Sequence, residues 1–344
     1  MTKIKIILFI LFPSLLLGGY DYFPSNTVET SFPSKDFLNM KGTRVFHILE
    51  NSTDRLSDNK IVELQDKNGL PLWFGRYFYK DICITGICRM VSLWIFWDGA
   101  GNYLGIQLDE KISLTKSDHT PFESQDYFRL DEILSDTVSI LKELQYEDLV
   151  IEDTLQLSVD DKSKIKLFEL DGYSSATLPS LKEYVIKDAV FTCYTLWHTV
   201  YGETKMHIDE LINKRIDSEY IHKLLNGSEN YKLLALEMIK RKDTFFLEFE
   251  PHIFSLVASL NKNISQKALS VITPQYLNSS EKQLKFIELL DYSLPETKYE
   301  ILYIILQVNT LSTDAIILLI DQFLMEKIST GSLNQIYKII SKQT

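Results

Sequence analysis

Val91-Ser92-Leu93-Trp94-Ile95-Phe96-Trp97, followed by Asp98-Gly99-Ala100-Gly101-Asn102 and then Tyr103-Leu104-Gly105-Ile106-Gln107-Leu108, is the stretch on which the fold reading rests. The first run is uncharged and rich in aromatic and β-branched residues, the middle is turn chemistry, and the last run can pair back, so a hairpin is expected. Trp73-Phe74 and Tyr77-Phe78-Tyr79 have the same character. Leu72 to Leu108 therefore reads as strands buried on both faces. Gly99, Gly101 and Gly105 miss the spacing of a dinucleotide-binding loop, and a strand rather than a helix follows them.

Working outward, Asp126 to Leu144 carries Leu130, Ile133, Leu134, Val138, Leu141 and Leu144 on one side of an expected helix. Leu155 to Leu170 alternates as a strand would. From Thr177 onward, Leu181, Val185, Ala189, Cys193 and Trp197 recur every four residues, which predicts an amphipathic helix of about five turns.

Past Gly202 helix-length apolar runs dominate: Ile208 to Ile216, Tyr220 to Leu225, Tyr231 to Ile239, Ile253 to Leu260, Leu284 to Leu290, Tyr299 to Val308, Ala315 to Met325 and Leu333 to Ile340. Breaks fall at Asn226-Gly227, Asn261-Lys262-Asn263, Ser293-Leu294-Pro295 and Thr330-Gly331. Short successive helices of this kind build either a solenoid resembling HEAT-type arrays or an irregular helical bundle. The expected division is 1–19 as a signal peptide or anchor, 20–202 as an α+β domain, and 203–344 as an all-α, solenoid-like domain.

The 344 residues are 45% hydrophobic and 12% aromatic, ample for packed cores. A net charge of -11 with no basic stripe argues against nucleic acid as a partner. Lys3 and Lys5, an apolar run from Ile6 to Leu17 and Gly18-Gly19 fit an export signal, and the run is short for a membrane span. An uncleaved tether is the alternative. Cys83 and Cys88 flank Gly86, and a turn there could close a disulfide in an oxidising compartment; buried free thiols and a redox-active dithiol are the other readings. Cys193 reads as a small core residue. The six histidines lack the spacing of a metal site.

One further stretch points to chemistry: Asp171-Gly172-Tyr173-Ser174-Ser175-Ala176-Thr177. The bland account makes Asp171, Ser174 and Ser175 turn residues and Thr177 an ordinary helix cap before Pro179. The heptapeptide resembles the flavinylation site of the FMN-binding domain family, found in the C subunit of Na+-translocating NADH:quinone oxidoreductase and the G subunit of Rnf complexes. There a threonine in an Asp-x-x-Ser/Thr-Gly/Ser-Ala-Thr context carries FMN through a phosphoester, which makes Thr177 the attachment residue. Ser175 departs from the glycine usual in those subunits. Small side chains at Ser174, Ser175 and Ala176 would let a modifying enzyme approach, Gly172 would relieve the turn, and Ser180 could donate a hydroxyl to a phosphate oxygen. The upstream hairpin and His119-Thr120-Pro121 resemble the order of elements in the family, although a surface loop also accounts for His119.

The resemblance implies an α+β FMN-binding-type fold and covalent FMN on Thr177. FAD:protein FMN transferase is then the modifying enzyme, and redox proteins, membrane-bound or soluble, are the partners. The activity would be electron transfer on the periplasmic or other extracytoplasmic side. Trp97, Tyr103, Phe168 and Tyr173 are candidate ring contacts, each better explained by core packing. The competing expectation is an exported non-catalytic scaffold with a cofactor-free fold. A flavin reductase is a third reading, for which no acid/base pair stands out.

Overall fold

Alternation of apolar side chains across the pleat builds a sheet with two covered faces. The computed structural model describes residues 36–50, 52–82, 90–109, 112–116, 119–145, 150–151, 168–169 and 184–343. Strands β1 (Thr43–Ile48), β2 (Lys60–Gln65), β3 (Pro71–Lys80), β4 (Val91–Trp97) and β5 (Tyr103–Leu108) form an antiparallel meander, each paired with the next. Ile61, Phe74, Leu93, Ile95, Trp97 and Ile106 enter the main core, while Val62, Leu64, Trp73 and Phe96 form a small second cluster under Phe37. The Phe37 and Phe96 rings lie 4.5 Å apart, centre to centre.

The β3, β4 and β5 strands and their turn follow the sequence expectation. Asp98 closes the turn by accepting the backbone N–H groups of Ala100 (2.8 Å) and Asn102 (2.9 Å), and Gly101 takes φ +76°. A Cβ on Gly101 would lie 3.1 Å from Asp209 Oδ1 and 3.3 Å from Ile208 Cγ2, whereas Gly69, at the same φ, has nothing within 4 Å. Both alanine variants pay about 1–2 kcal/mol for the left-handed backbone, and only Gly101→Ala also disturbs packing. Urea denaturation is expected to show Gly101→Ala as the more destabilised of the two.

β1 and β2 were not legible as strands, because Arg44, His47, Glu63 and Gln65 interrupt the apolar pattern. Helix α1 (Ser124–Ser135) is shorter than the expected helix to Leu144. The Asp136 carboxylate accepts the Val138 N–H at 2.9 Å, a local turn that competes with the helix, and Val138 is 87% exposed. Leu141 is buried instead by a separate helical turn, Ile140–Lys142. A two-stranded sheet pairs β6 (Val150–Ile151) with β7 (Phe168–Glu169), the end of the stretch expected to be a strand.

The five-turn helix expected from Thr177 is corrected. Helix α2 spans Val190–Val200, and residues 184–189 form bends and a turn. Asp188 adopts φ +60°, a left-handed conformation through which a right-handed helix cannot run. Val185 and Ile186 are still buried, and the Ile186 N–H donates to Cys193 Sγ at 3.4 Å, so the apolar spacing was used by a turn folded back on the helix.

Helices α3 (Glu203–Arg215), α4 (Ser218–Leu225), α5 (Glu229–Arg241), α6 (Thr244–Val257), α7 (Lys262–Leu269), α8 (Ser280–Glu288), α9 (Pro295–Gln307), α10 (Thr313–Leu324) and α11 (Leu333–Ser341) follow. The layout is thus α+β followed by all-α. Helix α7 was not anticipated; it is short, and Asn261 caps it by accepting the N–H groups of Asn263 and Ile264. Helices α5, α7, α9 and α11 pack in succession. Polar bridges link successive layers: buried Ser265 to Thr297 (2.7 Å), Lys267 to Glu237, and Gln335 to the Tyr299 carbonyl (3.3 Å), over sequence separations of 32, 30 and 36. The expected boundary at 202 falls between α2 and α3, and one hydrophobic core runs through both sides of it.

Helix α3 is tied to the sheet at both ends. At its start the fully buried Arg76 donates from Nη1 to Glu203 Oε1 (3.1 Å) and Thr204 Oγ1 (2.7 Å), and from Nε to the Asp58 carbonyl (2.7 Å). At its end Arg215 makes a bidentate pair with the fully buried Glu63, at 2.6 and 2.9 Å.

Candidate functional site

Asp171, Gly172, Ser174, Ser175, Ala176, Thr177 and Ser180 lie outside the described residues, as do Tyr173, Cys83 and Cys88 and residues 1–35. The described chain reaches Glu169 on one side of the heptapeptide and resumes at Tyr184 on the other. Six residues lie between Thr177 and Tyr184, so the seven steps of chain reach at most about 25 Å. Tyr184 lines an open cavity of about 440 Å³ with Arg129, Glu132, Ile133, Asp136 and Ser139.

The next element, α2, lines a second cavity of about 360 Å³ against the end of β3, within the usual size of ligand clefts. Phe191, Tyr194 and His198 recur at i, i+3 and i+7, so they share one stripe of the helix. The Phe191 and Tyr194 rings stack at 6.5 Å, and Tyr194 and His198 approach to 4.3 Å. Opposite them stand Phe78 and Lys80 of β3, with Lys80 Nζ 2.6 Å from Asp54 Oδ2. Sequence reasoning missed this cleft. Its signal was present in the spacing of the three rings, but attention to Cys193 and Trp197 selected the opposite, buried side of the helix.

The charges of the cleft are fixed by their partners. His198 Nε2 lies 2.9 Å from the Leu141 carbonyl, an atom that only accepts, so Nε2 carries the proton and Nδ1 is left as an acceptor. Burial holds the His198 pKa below its ordinary value, opposed by that hydrogen bond, and the ring is neutral at pH 7. Burial alone would raise the Glu203 carboxyl, but hydrogen bonds from Ser52, the Thr53 amide and hydroxyl, and Arg76 outweigh it and hold the pKa at about 2.

A folded-state pKa depressed below the unfolded value of about 4.5 stabilises the protein above that pH. The contribution is lost as pH falls from about 4.5 to 2, and its size is on the order of 2 kcal/mol after screening at a partly exposed group. Thermal melts of wild type should lose stability across that window. Glu203→Gln should start lower and follow a flatter profile there, and parallel profiles would contradict the assignment.

Two of the candidate ring contacts are core residues, the reading their sequence favoured. Trp97 is fully buried and donates its indole N–H to the Val200 carbonyl at 3.1 Å. Tyr103 donates its hydroxyl to Asp131 Oδ1 at 2.9 Å, and burial pushes its pKa well up. Both are occupied in packing the sheet against helices. His119 lies in the loop between Lys116 and Pro121, at φ +63°. Among the described residues no grouping of His, Cys, Asp and Glu could hold a metal ion, and no helix is long and apolar enough to cross a membrane. Comparison with protein-family models, curated proteins and solved structures finds no significant match to the chain.

Proposed function

We propose that the protein is an exported flavoprotein that carries FMN as a phosphoester on Thr177 and transfers electrons outside the cytoplasm. The observation that carries this reading is the Asp171 to Thr177 heptapeptide, placed after an antiparallel hairpin and before an aromatic-faced helix. FAD:protein FMN transferase would break the phosphoanhydride of FAD, join the FMN phosphorus to the Thr177 oxygen and release AMP. Asp171, Gly172, Ser174, Ser175, Ala176 and Ser180 form the surroundings of that oxygen in sequence. The N-terminal part is then an FMN-binding-type domain, and export follows from the Met1 to Gly19 segment.

The cleft along α2 fits a flat ring system. Phe191 and Tyr194 supply an aromatic wall, and neutral His198 adds a hydrogen-bond acceptor without charge. Ion pairing of Lys80 with Asp54 and of Arg76 with Glu203 leaves the walls without an unbalanced charge. FMN, when bound, supplies one- and two-electron chemistry. The chain's own contribution is to hold the ring against the aromatic stripe of α2 and limit its contact with water. Coproduction with the transferase and export should give a yellow protein with flavin absorbance that survives denaturation and gel filtration, and a colourless product would count against the reading.

The helical part is proposed as a solenoid-like docking module for redox partner proteins. Tyr299 and Tyr303 on α9 and Leu333 and Tyr337 on α11 are exposed, and these two helices pack side by side. Tyrosines of this kind are enriched where proteins bind proteins. The same surface favours, as a second reading, an exported scaffold whose fold holds no cofactor; a product without flavin absorbance that still binds a partner through this surface would support it.

A further inference from the structure

The five-stranded sheet ends in β5 on one side and β1 on the other. β5 is covered by α1, whereas β1 packs closely on β2 alone among the described elements. An open edge offers unpaired N–H and C=O groups to any strand that meets it, and folded proteins usually blunt such edges with charge, proline or a bulge. β1 has no proline and pairs with β2 without a register shift. Its one permanent charge, Arg44, is turned back to donate from Nη2 to the Leu38 carbonyl at 2.6 Å. Phe46 and Ile48 are left 59% and 49% exposed.

The direction of the free backbone groups follows from one bond. The Leu49 N–H donates to the Asn59 carbonyl at 2.8 Å, one step past the Ile48 to Lys60 pair. Pairs that exchange bonds alternate along an antiparallel ladder. Thr43, Val45 and His47 therefore bond to β2, and the N–H and C=O groups of Arg44, Phe46 and Ile48 point away from it. The side chains of these three share the face of Val62 and Leu64. Phe46 ends a row that continues across the sheet through Val62, Gly75 and Phe96. The outward-bonding residues are thus also the ones with uncovered apolar side chains.

This edge is complementary to itself. Antiparallel pairing of two copies about a two-fold axis at His47 sets Phe46 against Ile48 of the other copy, with their free N–H and C=O groups aligned to exchange bonds. The same register sets Arg44 against Glu50 of the other copy. Glu50 is exposed, and among the described residues neither it nor Arg44 has an ion-pair partner. Moving the axis to Phe46 would set Arg44 against Ile48 and lose the charge match. His47 lies on the opposite face, where its Nε2 is 2.8 Å from Glu63.

We propose that β1 is a self-association edge, through which two copies of the chain join their sheets antiparallel about a two-fold axis at His47. One short strand from each copy is a small contact beside the roughly 1,200–2,000 Å² of a stable interface, so the dimer is reversible and depends on concentration. It does not rest on flavin attachment at Thr177.

Sedimentation velocity of the full chain between about 1 and 100 μM should show a monomer–dimer equilibrium. Phe46→Pro removes an outward N–H and an apolar side chain without touching the ladder to β2, and should weaken the dimer at least about tenfold. Arg44→Glu and Glu50→Arg each place like charges opposite one another at both ends of the contact, and each should weaken it about tenfold. The double variant Arg44→Glu/Glu50→Arg restores opposite charges and should recover the wild-type affinity. Far-UV circular dichroism checks the fold of each variant, and if Phe46→Pro disrupts the strand the charge series decides alone. A chain that stays monomeric throughout, a dimer indifferent to folded Phe46→Pro or to the single charge reversals, or a double variant that does not recover each overturns the proposal. Intact mass at Thr177 is read independently of association, so failure here is separable from failure of the flavoprotein reading.

Discussion

Glu63→Leu is expected to destabilise the protein by about 3–5 kcal/mol, the usual consequence of stranding the partner of a buried ion pair. Glu63 lies fully buried on β2, accepts two bonds from Arg215, and is also 2.8 Å from His47 Nε2 and 2.9 Å from Gln65 Nε2. Burial pushes its carboxyl up, but these donors outweigh that and hold the pKa below the ordinary value, so the group is charged at neutral pH. Leucine removes the charge and leaves the Arg215 guanidinium against a β-sheet with only partial access to water. The double variant Glu63→Leu/Arg215→Met removes both charges and should recover most of the loss, since well-packed apolar replacements of such pairs are often neutral. Urea denaturation followed by far-UV circular dichroism measures both. A single-variant cost below about 1 kcal/mol would mean that the pair behaves as an exposed one and that the C-terminal end of α3 is held to the sheet by packing alone.

The clamp explains why the chain's two halves were only partly legible. The hairpin from Val91 to Leu108 could be read because its apolar runs serve a buried sheet and nothing else. Helices such as α9 and α10 could be read for the same reason, with Pro295 and Ser312 marking their starts. Strands β1 and β2 could not, because Glu63 and His47 occupy inward positions where pattern reasoning expects apolar groups. The burial of Glu63 is satisfied by Arg215, more than a hundred residues away, and His47 is held by Glu63 in turn. Spacing alone also misplaced the start of α2. Val185 and Ile186 are buried at positions compatible with a helix, and the left-handed Asp188 that separates them from α2 has no signature in apolar periodicity.

The cleft along α2 shows a similar limit. Phe191, Tyr194 and His198 were visible at helical spacing, but only folding brings Phe78 and Lys80 from β3 to the opposite wall. Trp97 and Tyr103, read in the sequence as core residues before ring contacts, are consumed by hydrogen bonds to Val200 and Asp131.

Thr177→Ala is expected to abolish flavin attachment completely. A phosphoester requires the hydroxyl oxygen as the bridging atom, and alanine offers no nucleophile at that position. Ser174 and Ser175 are close enough in sequence to serve if the transferase recognised only the segment, so the alanine variant also tests which oxygen is used. The deciding measurement is intact-mass spectrometry of wild type and Thr177→Ala, each coproduced with FAD:protein FMN transferase and exported. The account predicts a gain of one FMN less one water in wild type and none in the variant. No gain in wild type, or a gain that persists in Thr177→Ala, would contradict it.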